Sequence, residues 1–146
     1  SKLVGYCPQH DALLPRLTVL EQLQLYGVIK GIEKNEIASS ITALVKVLGL
    51  KMFLNTQPGS LSGGNQRKGS VAVALIGEPA LILLDEPSTG MDPVAKRFLW
   101  NVISDMYNNE DKSVVLTSHS MAECEALCSR IGIMVAGKFS DWSSLN

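Results

Sequence analysis

Ala80-Leu81-Ile82-Leu83-Leu84-Asp85-Glu86 is the run on which the fold turns. Five consecutive apolar residues leave no polar face, so both faces of this extended run are expected to be covered, as in a central parallel strand. Two carboxylates follow at once, at the carboxyl end of the strand, where open α/β sheets gather their ligand groups. Downstream, Val114-Val115-Leu116 is the next buried strand, and Thr117-Ser118-His119 stands just past it. Between them, Asp92-Pro93 supplies an N-cap and a first-turn proline for a helix. Val94, Phe98, Leu99, Val102, Ile103 and Met106 make one apolar stripe along that helix. Helical and extended runs alternating in this way predict an α/β fold with a parallel sheet.

Upstream of that run the texture is mostly helical. Leu3 to Tyr6 is a short strand-like run halted at Cys7-Pro8-Gln9, because proline cannot extend a ladder from within a sheet, and Gln9 falls in a loop. Val19, Leu20, Leu23, Leu25 and Tyr26 recur at helical intervals between Thr18 and Ile29, and Ile41, Leu44, Val45 and Leu48 repeat the pattern after Ile37. Gly31 separates these two helices of one helical subdomain, and Gly49 closes the second. Gln57-Pro58-Gly59 is a loop leading into Leu61-Ser62-Gly63-Gly64. Toward the other end, Ser120 with Glu123 has the capping-box pattern for a helix through Cys128. Ile131 to Val135 reads as a strand that Ala136-Gly137 turns back into a short partner around Lys138-Phe139. There is no internal repeat, low-complexity tract or flexible linker.

The chain of 146 residues is 46% hydrophobic, enough to bury one core and hardly two, so it is expected to be one domain or a piece of one. With 13 basic and 14 acidic residues the net charge of -1 leaves no electrostatic footprint for nucleic acid or an anionic membrane surface. Cys7, Cys124 and Cys128 are an odd number behind a start that has no signal-like character, which fits reduced thiols rather than a disulfide framework. Val71 to Ile76 and Ala80 to Leu84 fall far short of the roughly 20 residues that cross a bilayer, so a membrane span is expected only from another segment or chain.

Four elements carry chemistry. Asp85 and Glu86 place two carboxylates at a strand tip, where one anion holds Mg²⁺ through water and the other orients or deprotonates an attacking water; taken alone, an acidic strand end looks the same. Ser62, Gly63, Gly64 and Asn65 open a helix whose free N–H groups and positive dipole end suit an anion, although a plain glycine-rich helix entry also reads this way. His119 stands at the same sheet edge as Glu86, where a lone histidine is more commonly exposed or satisfied in the core. Gln9 is ordinarily a solvated loop residue, yet its amide oxygen suits Mg²⁺ or the attacking water.

Taken in order, Pro8-Gln9, Leu61-Ser62-Gly63-Gly64, Leu84-Asp85-Glu86-Pro87, Ser88-Thr89-Gly90-Met91-Asp92 and Thr117-Ser118-His119 resemble the Q-loop, signature motif, Walker B, D-loop and switch histidine of ATP-binding cassette proteins, over almost the whole chain. Gly5 to Leu13, Phe98-Leu99-Trp100-Asn101 and Thr117 to Cys128 are similar to the A subfamily of eukaryotic lipid exporters. The resemblance implies a partial P-loop NTPase, with a RecA-like parallel sheet and an inserted helical signature subdomain. The helical subdomain would occupy about 10–77 and the RecA-like part 78–146. It implies ATP and Mg²⁺ as cofactors, with Asp85 and Gln9 on the metal, Glu86 as general base and His119 on the γ-phosphate. Ser62, Gly63, Gly64 and Asn65 would cover the nucleotide of a second, head-to-tail cassette, and Asp92 would couple the two sites. The remaining partners would be transmembrane domains, placing the chain on the cytoplasmic face of a membrane.

The sequence departs from the family in places. No G-x-x-x-x-G-K-[ST] phosphate loop occurs in these 146 residues, although the family places one upstream of Gln9. Without upstream strands, open edges are expected beside Leu81 to Leu84 and Val114 to Leu116. Asn65 replaces the usual glutamine, as the A subfamily often does. Gly69 replaces a large apolar residue inside a helix, where glycine costs about 1 kcal/mol relative to alanine. The chain ends at Trp142-Ser143-Ser144-Leu145-Asn146, without the family's glycine after the last hairpin. Three readings stand: the ATPase part of a transporter, a soluble cassette ATPase, and a non-catalytic remnant that only partners another cassette. The Ser88-to-Asp92 segment and the compact Gln9-to-Leu61 interval favour transport. Cys124 and Cys128, one helical turn apart, have no further cysteine or histidine pair for a metal.

Overall fold

A computed structural model describes residues 4–10, 13–108 and 111–144. The strand reading of Leu3, the Asp11-Ala12 part of the Gly5-to-Leu13 match and the terminal Leu145-Asn146 lie outside the described residues. Three strands, β1 (Val4–Cys7), β2 (Leu81–Asp85) and β3 (Ser113–Thr117), form a parallel sheet in the order β1-β2-β3. Cys7 lies beside Leu84, and Asp85 beside Thr117, so all three carboxyl ends fall on one edge.

The helices are α1 (Val19–Ile29), α2 (Ile37–Val47), α3 (Gly63–Leu75), α4 (Pro93–Tyr107) and α5 (Met121–Leu127). Side-chain caps start α1, α3 and α4. Thr18 caps α1 in a full capping box with Glu21. Ser62 caps α3, and Asp92 caps α4 with Pro93 in its first turn. Gln57-Pro58-Gly59 leads into α3 through a short 3₁₀ turn over Pro58–Ser60. The core is one cluster that runs from Val19 and Leu23 in α1 through Val71 and Leu75 in α3 to Ile82, Leu84 and Leu99.

Burial on β2 alternates. Register partners share a side, so Gly5, Cys7, Ile82 and Leu84 turn together into the core beneath α3. The opposite face carries half-buried Leu81 and Leu83 between exposed Val4, Tyr6 and Val115. The expectation of two covered faces therefore holds for only one, because the described helices leave the other side of the sheet largely open. The expected free edge beside Leu81 to Leu84 is also corrected: β2 is central and paired on both sides, and the unpaired edges fall on β1 and β3 among the described residues.

Other departures are local. Val94 is 78% exposed and Phe98 is partly exposed, so the buried stripe of α4 narrows to Leu99, Val102 and Ile103. Phe98 instead lies under the ammonium of Lys68 at 4.5 Å. Gly69 makes room in α3: a Cβ there would stand 3.2 Å from Leu13 Cδ1. The last hairpin, β4 (Arg130–Val135) and β5 (Lys138–Ser144), pairs only with itself and is longer than its sequence suggested.

Lys30 fastens α1 to the end of α3. Its Nζ donates to the carbonyls of Val73, Ala74 and Ile76 at 3.1, 2.6 and 3.0 Å, where a cation also meets the negative end of the helix dipole. Burial lowers its ammonium from the ordinary 10.5 to about 8. Between those pH values the unfolded chain holds a proton at Lys30 that the folded chain has released, so the contribution of Lys30 to stability is expected to rise with pH across that window. Urea unfolding of the parent beside Lys30→Met checks it: the stability of the parent relative to the variant is expected to increase with pH through that range.

Candidate active site

The parallel register brings three loops to one edge: Pro8-Gln9 after β1, Glu86 to Asp92 after β2, and Ser118 to Ser120 after β3. Glu86 sits at φ 49, a left-handed conformation uncommon for a residue with a side chain. It is held there from several sides. Its N–H donates to the Thr117 carbonyl at 3.2 Å and to Thr117 Oγ1 at 3.1 Å, and its carbonyl accepts from Arg67 Nη2 at 2.9 Å. Such strain costs on the order of 1–3 kcal/mol and persists only where the surroundings over-determine it.

Thr117 links the two acids. Its hydroxyl donates to Asp85 Oδ1 at 2.5 Å while accepting the Glu86 N–H. The Glu86 side chain, 18% exposed, accepts from Thr89 Oγ1 at 2.9 Å and faces Nδ1 of the 75% exposed His119 at 2.8 Å. Nδ1 is thus the ring nitrogen turned to the carboxylate. Asp85, Glu86 and His119 thus meet at one place, as the sequence indicated.

The other residues singled out stand in different relations to it. Gln9 is exposed, and its backbone carbonyl accepts from Arg67 Nη1 at 3.1 Å. Ser62 Oγ accepts from Asn65 N–H at 3.4 Å, and a Cβ on Gly63 or Gly64 would meet nothing within 4 Å among the described residues. The backbone at that helix entry is therefore open to an approaching anion. Asp92 Oδ1 accepts from the N–H groups of Val94 and Ala95, both at 3.0 Å, and the Ala95 bond leads in holding its carboxyl below the usual range.

Sequence reasoning passed over two supporting residues. Arg67, 4% exposed, donates to backbone carbonyls in both the Gln9 and Glu86 loops. Glu123, 1% exposed, accepts from Trp100 Nε1 at 2.8 Å and from Ser118 Oγ at 2.5 Å, bracing the loop that carries His119. The expected capping box is therefore half made: Ser120 accepts from the Glu123 N–H, but the carboxylate is taken by Trp100 and Ser118. A charged residue at a helix position facing the core is the signal that would have found Arg67.

The donors fit the groups that the sequence implied. Mg²⁺ takes hard oxygen ligands from one or two carboxylates, water and phosphate, which the acids at the strand tip supply without a dedicated cage. Among the described residues no group of three His, Cys, Asp or Glu side chains is placed to hold a metal. Cys7, Cys124 and Cys128 form no disulfide with one another, and burial pushes the latter two above their ordinary pKa.

Comparison with known proteins decides the family. The sequence pattern described as "ABC transporter" matches residues 1–89. The chain belongs to the ABC transporter family. Its relatives include the human retinal-specific phospholipid-transporting ATPase ABCA4, 54% identical over 93% of this chain, and the human glucosylceramide transporter ABCA12, 51% identical over 99%. The chain spans 6% of the length of each. Among solved cassettes, the dimeric post-hydrolysis state of MJ0796 bound to ADP and Pi superposes with a TM-score of 0.89 at 26% identity, over 99% of this chain and 63% of that one. A partial P-loop NTPase fold and similarity to the A subfamily are thus established.

Proposed function

We propose that these residues are the hydrolytic part of a transporter cassette, which turns over ATP to move a lipid-like substrate across a membrane. The observation that carries this is the meeting of Asp85, Glu86 and His119 at the carboxyl edge of the sheet, with Glu86 and His119 at 2.8 Å. Glu86 is the general base, taking the proton of an attacking water. His119 donates to Glu86 and presents its ring to the γ-phosphate side. Asp85 and Gln9 would hold Mg²⁺, which when bound would supply charge neutralisation on the phosphates. The helix entry at Ser62, Gly63, Gly64 and Asn65 covers the nucleotide of a second, head-to-tail cassette, and Asp92 at the head of α4 couples the two sites.

Residues 10–77 make the helical subdomain and 78–146 the RecA-like part of this unit. The partners are that second cassette and transmembrane domains, and the site is the cytoplasmic face of their membrane. The names of the relatives, a phospholipid-transporting ATPase and a glucosylceramide transporter, support a lipid substrate. No helix among the described residues is long and apolar enough to cross a membrane.

A second reading, in which the chain only partners another cassette, rests on the uncrowded helix entry at Gly63 and Gly64, the part that would face that cassette's nucleotide. ATP turnover by the chain alone, and after joining it to an upstream segment bearing a phosphate loop, separates the two. The expected result is no turnover alone and Mg²⁺-dependent turnover once joined. A joined, folded cassette that stays inactive sinks the hydrolytic reading and leaves the partner reading.

A further inference from the structure

Arg67 lies one turn inside α3, and the planar fork of its guanidinium is spent on the two loops that flank the candidate site. Nη1 donates to the carbonyls of Pro8 at 2.6 Å and Gln9 at 3.1 Å. Nη2 donates to those of Asp85 at 2.7 Å and Glu86 at 2.9 Å, and Nε to that of Pro87 at 2.9 Å. One nitrogen thus serves the loop after β1, and the other two serve the turn after β2.

Geometry gives this arrangement a consequence. The guanidinium is rigid, and hydrogen bonds keep their strength only over a few tenths of an ångström around about 2.9 Å. A displacement of the Pro8-Gln9 carbonyls must therefore turn the fork and drag the Asp85-Glu86-Pro87 backbone, or break one half of the bridge in the interior. The strained φ of 49 at Glu86 makes that turn sensitive to such a pull. A lysine, with three donors on one nitrogen, cannot span both loops. We propose that Arg67 is a positioning residue that holds the Asp85-Glu86 turn in register with the Gln9 loop; this rests on the hydrolytic reading above.

The test uses the complete polypeptide that contains this chain, with Arg67→Lys, Arg67→Met, Pro8→Gly to loosen the loop, and the double variants. Both Arg67 substitutions are expected to lower kcat for ATP about ten- to a hundredfold with little change in KM, as small misplacements of a catalytic group do. Pro8→Gly alone is expected to lower kcat, and to add almost nothing once Arg67 is replaced. An unchanged kcat with only a lower melting temperature overturns the proposal. So does full activity in Arg67→Lys, or additive losses in the double variants. If the Arg67 variants do not fold, Pro8→Gly decides, through amide exchange at residues 85–89: faster exchange supports coupling and unchanged exchange overturns it. That readout needs no turnover, so loss of ATPase activity in the unmodified protein counts against the hydrolytic reading and not against Arg67.

Discussion

Glu86→Gln in a completed cassette is expected to lower kcat by about 10²- to 10⁴-fold, the usual contribution of a positioned general base. The substitution keeps the shape of the side chain. A glutamine oxygen can still accept from Thr89 and His119, which lie 2.9 and 2.8 Å from Glu86 Oε2, and the backbone bonds to Thr117 and Arg67 do not involve the side chain. What is removed is the negative charge and, with it, the capacity to take a proton. The loss is therefore expected in kcat rather than in KM, the pattern of an interaction made in the transition state. Steady-state turnover together with nucleotide affinity, measured on the same preparation, checks both halves. Retention of wild-type kcat would remove Glu86 as the base and leave the carboxylate pair as metal and scaffold groups.

How much of this arrangement could be read in advance depends on how local its causes are. The strand over Leu81 to Asp85 announces itself through unbroken apolar character, and the α4 cap through Asp92-Pro93, because strand and cap are set by neighbours in sequence. The meeting of Asp85, Glu86 and His119 was equally legible, since parallel strands deliver their carboxyl ends to one edge. Arg67 was legible only as a charge on a core-facing helix position, and its partners were not. Its partners Pro8 and Gln9 lie 59 and 58 residues away, and no periodicity records a contact at that range. Glu123 misled for a related reason: its spacing from Ser120 fits a cap, but Trp100, 23 residues earlier, reaches the carboxylate. Coverage of β2 was overread because an apolar run shows that both faces tolerate burial, not that these residues supply two layers.

Gly5→Ala is the substitution expected to cost the most stability, about 3 kcal/mol, at the upper end for overpacking a close contact. A Cβ at Gly5 would lie 2.3 Å from the Ala74 carbonyl oxygen and 2.9 Å from Pro79 Cγ. The nearer obstacle is helix backbone, so no side-chain rotation relieves it. Either β1 leaves its register with β2, or α3 lifts from the sheet. Gly27 is the contrasting case, because a Cβ there would find only side-chain atoms of Ile37 and Ile32 at 3.5 to 3.6 Å, ordinary contact distances. Since Gly27 lies within α1, Gly27→Ala is expected to stabilise by up to about 1 kcal/mol through helix propensity. Urea unfolding of the two variants beside the parent protein tests the pair. Equal, small effects would mean that β1 and α3 are less closely apposed than the structure places them. The contact also reaches the candidate site, because β1 ends at the Gln9 loop and α3 carries Arg67. In Gly5→Ala, faster amide exchange at residues 85–89 is therefore expected to accompany the lost stability, whereas Gly27→Ala leaves that segment as protected as in the parent.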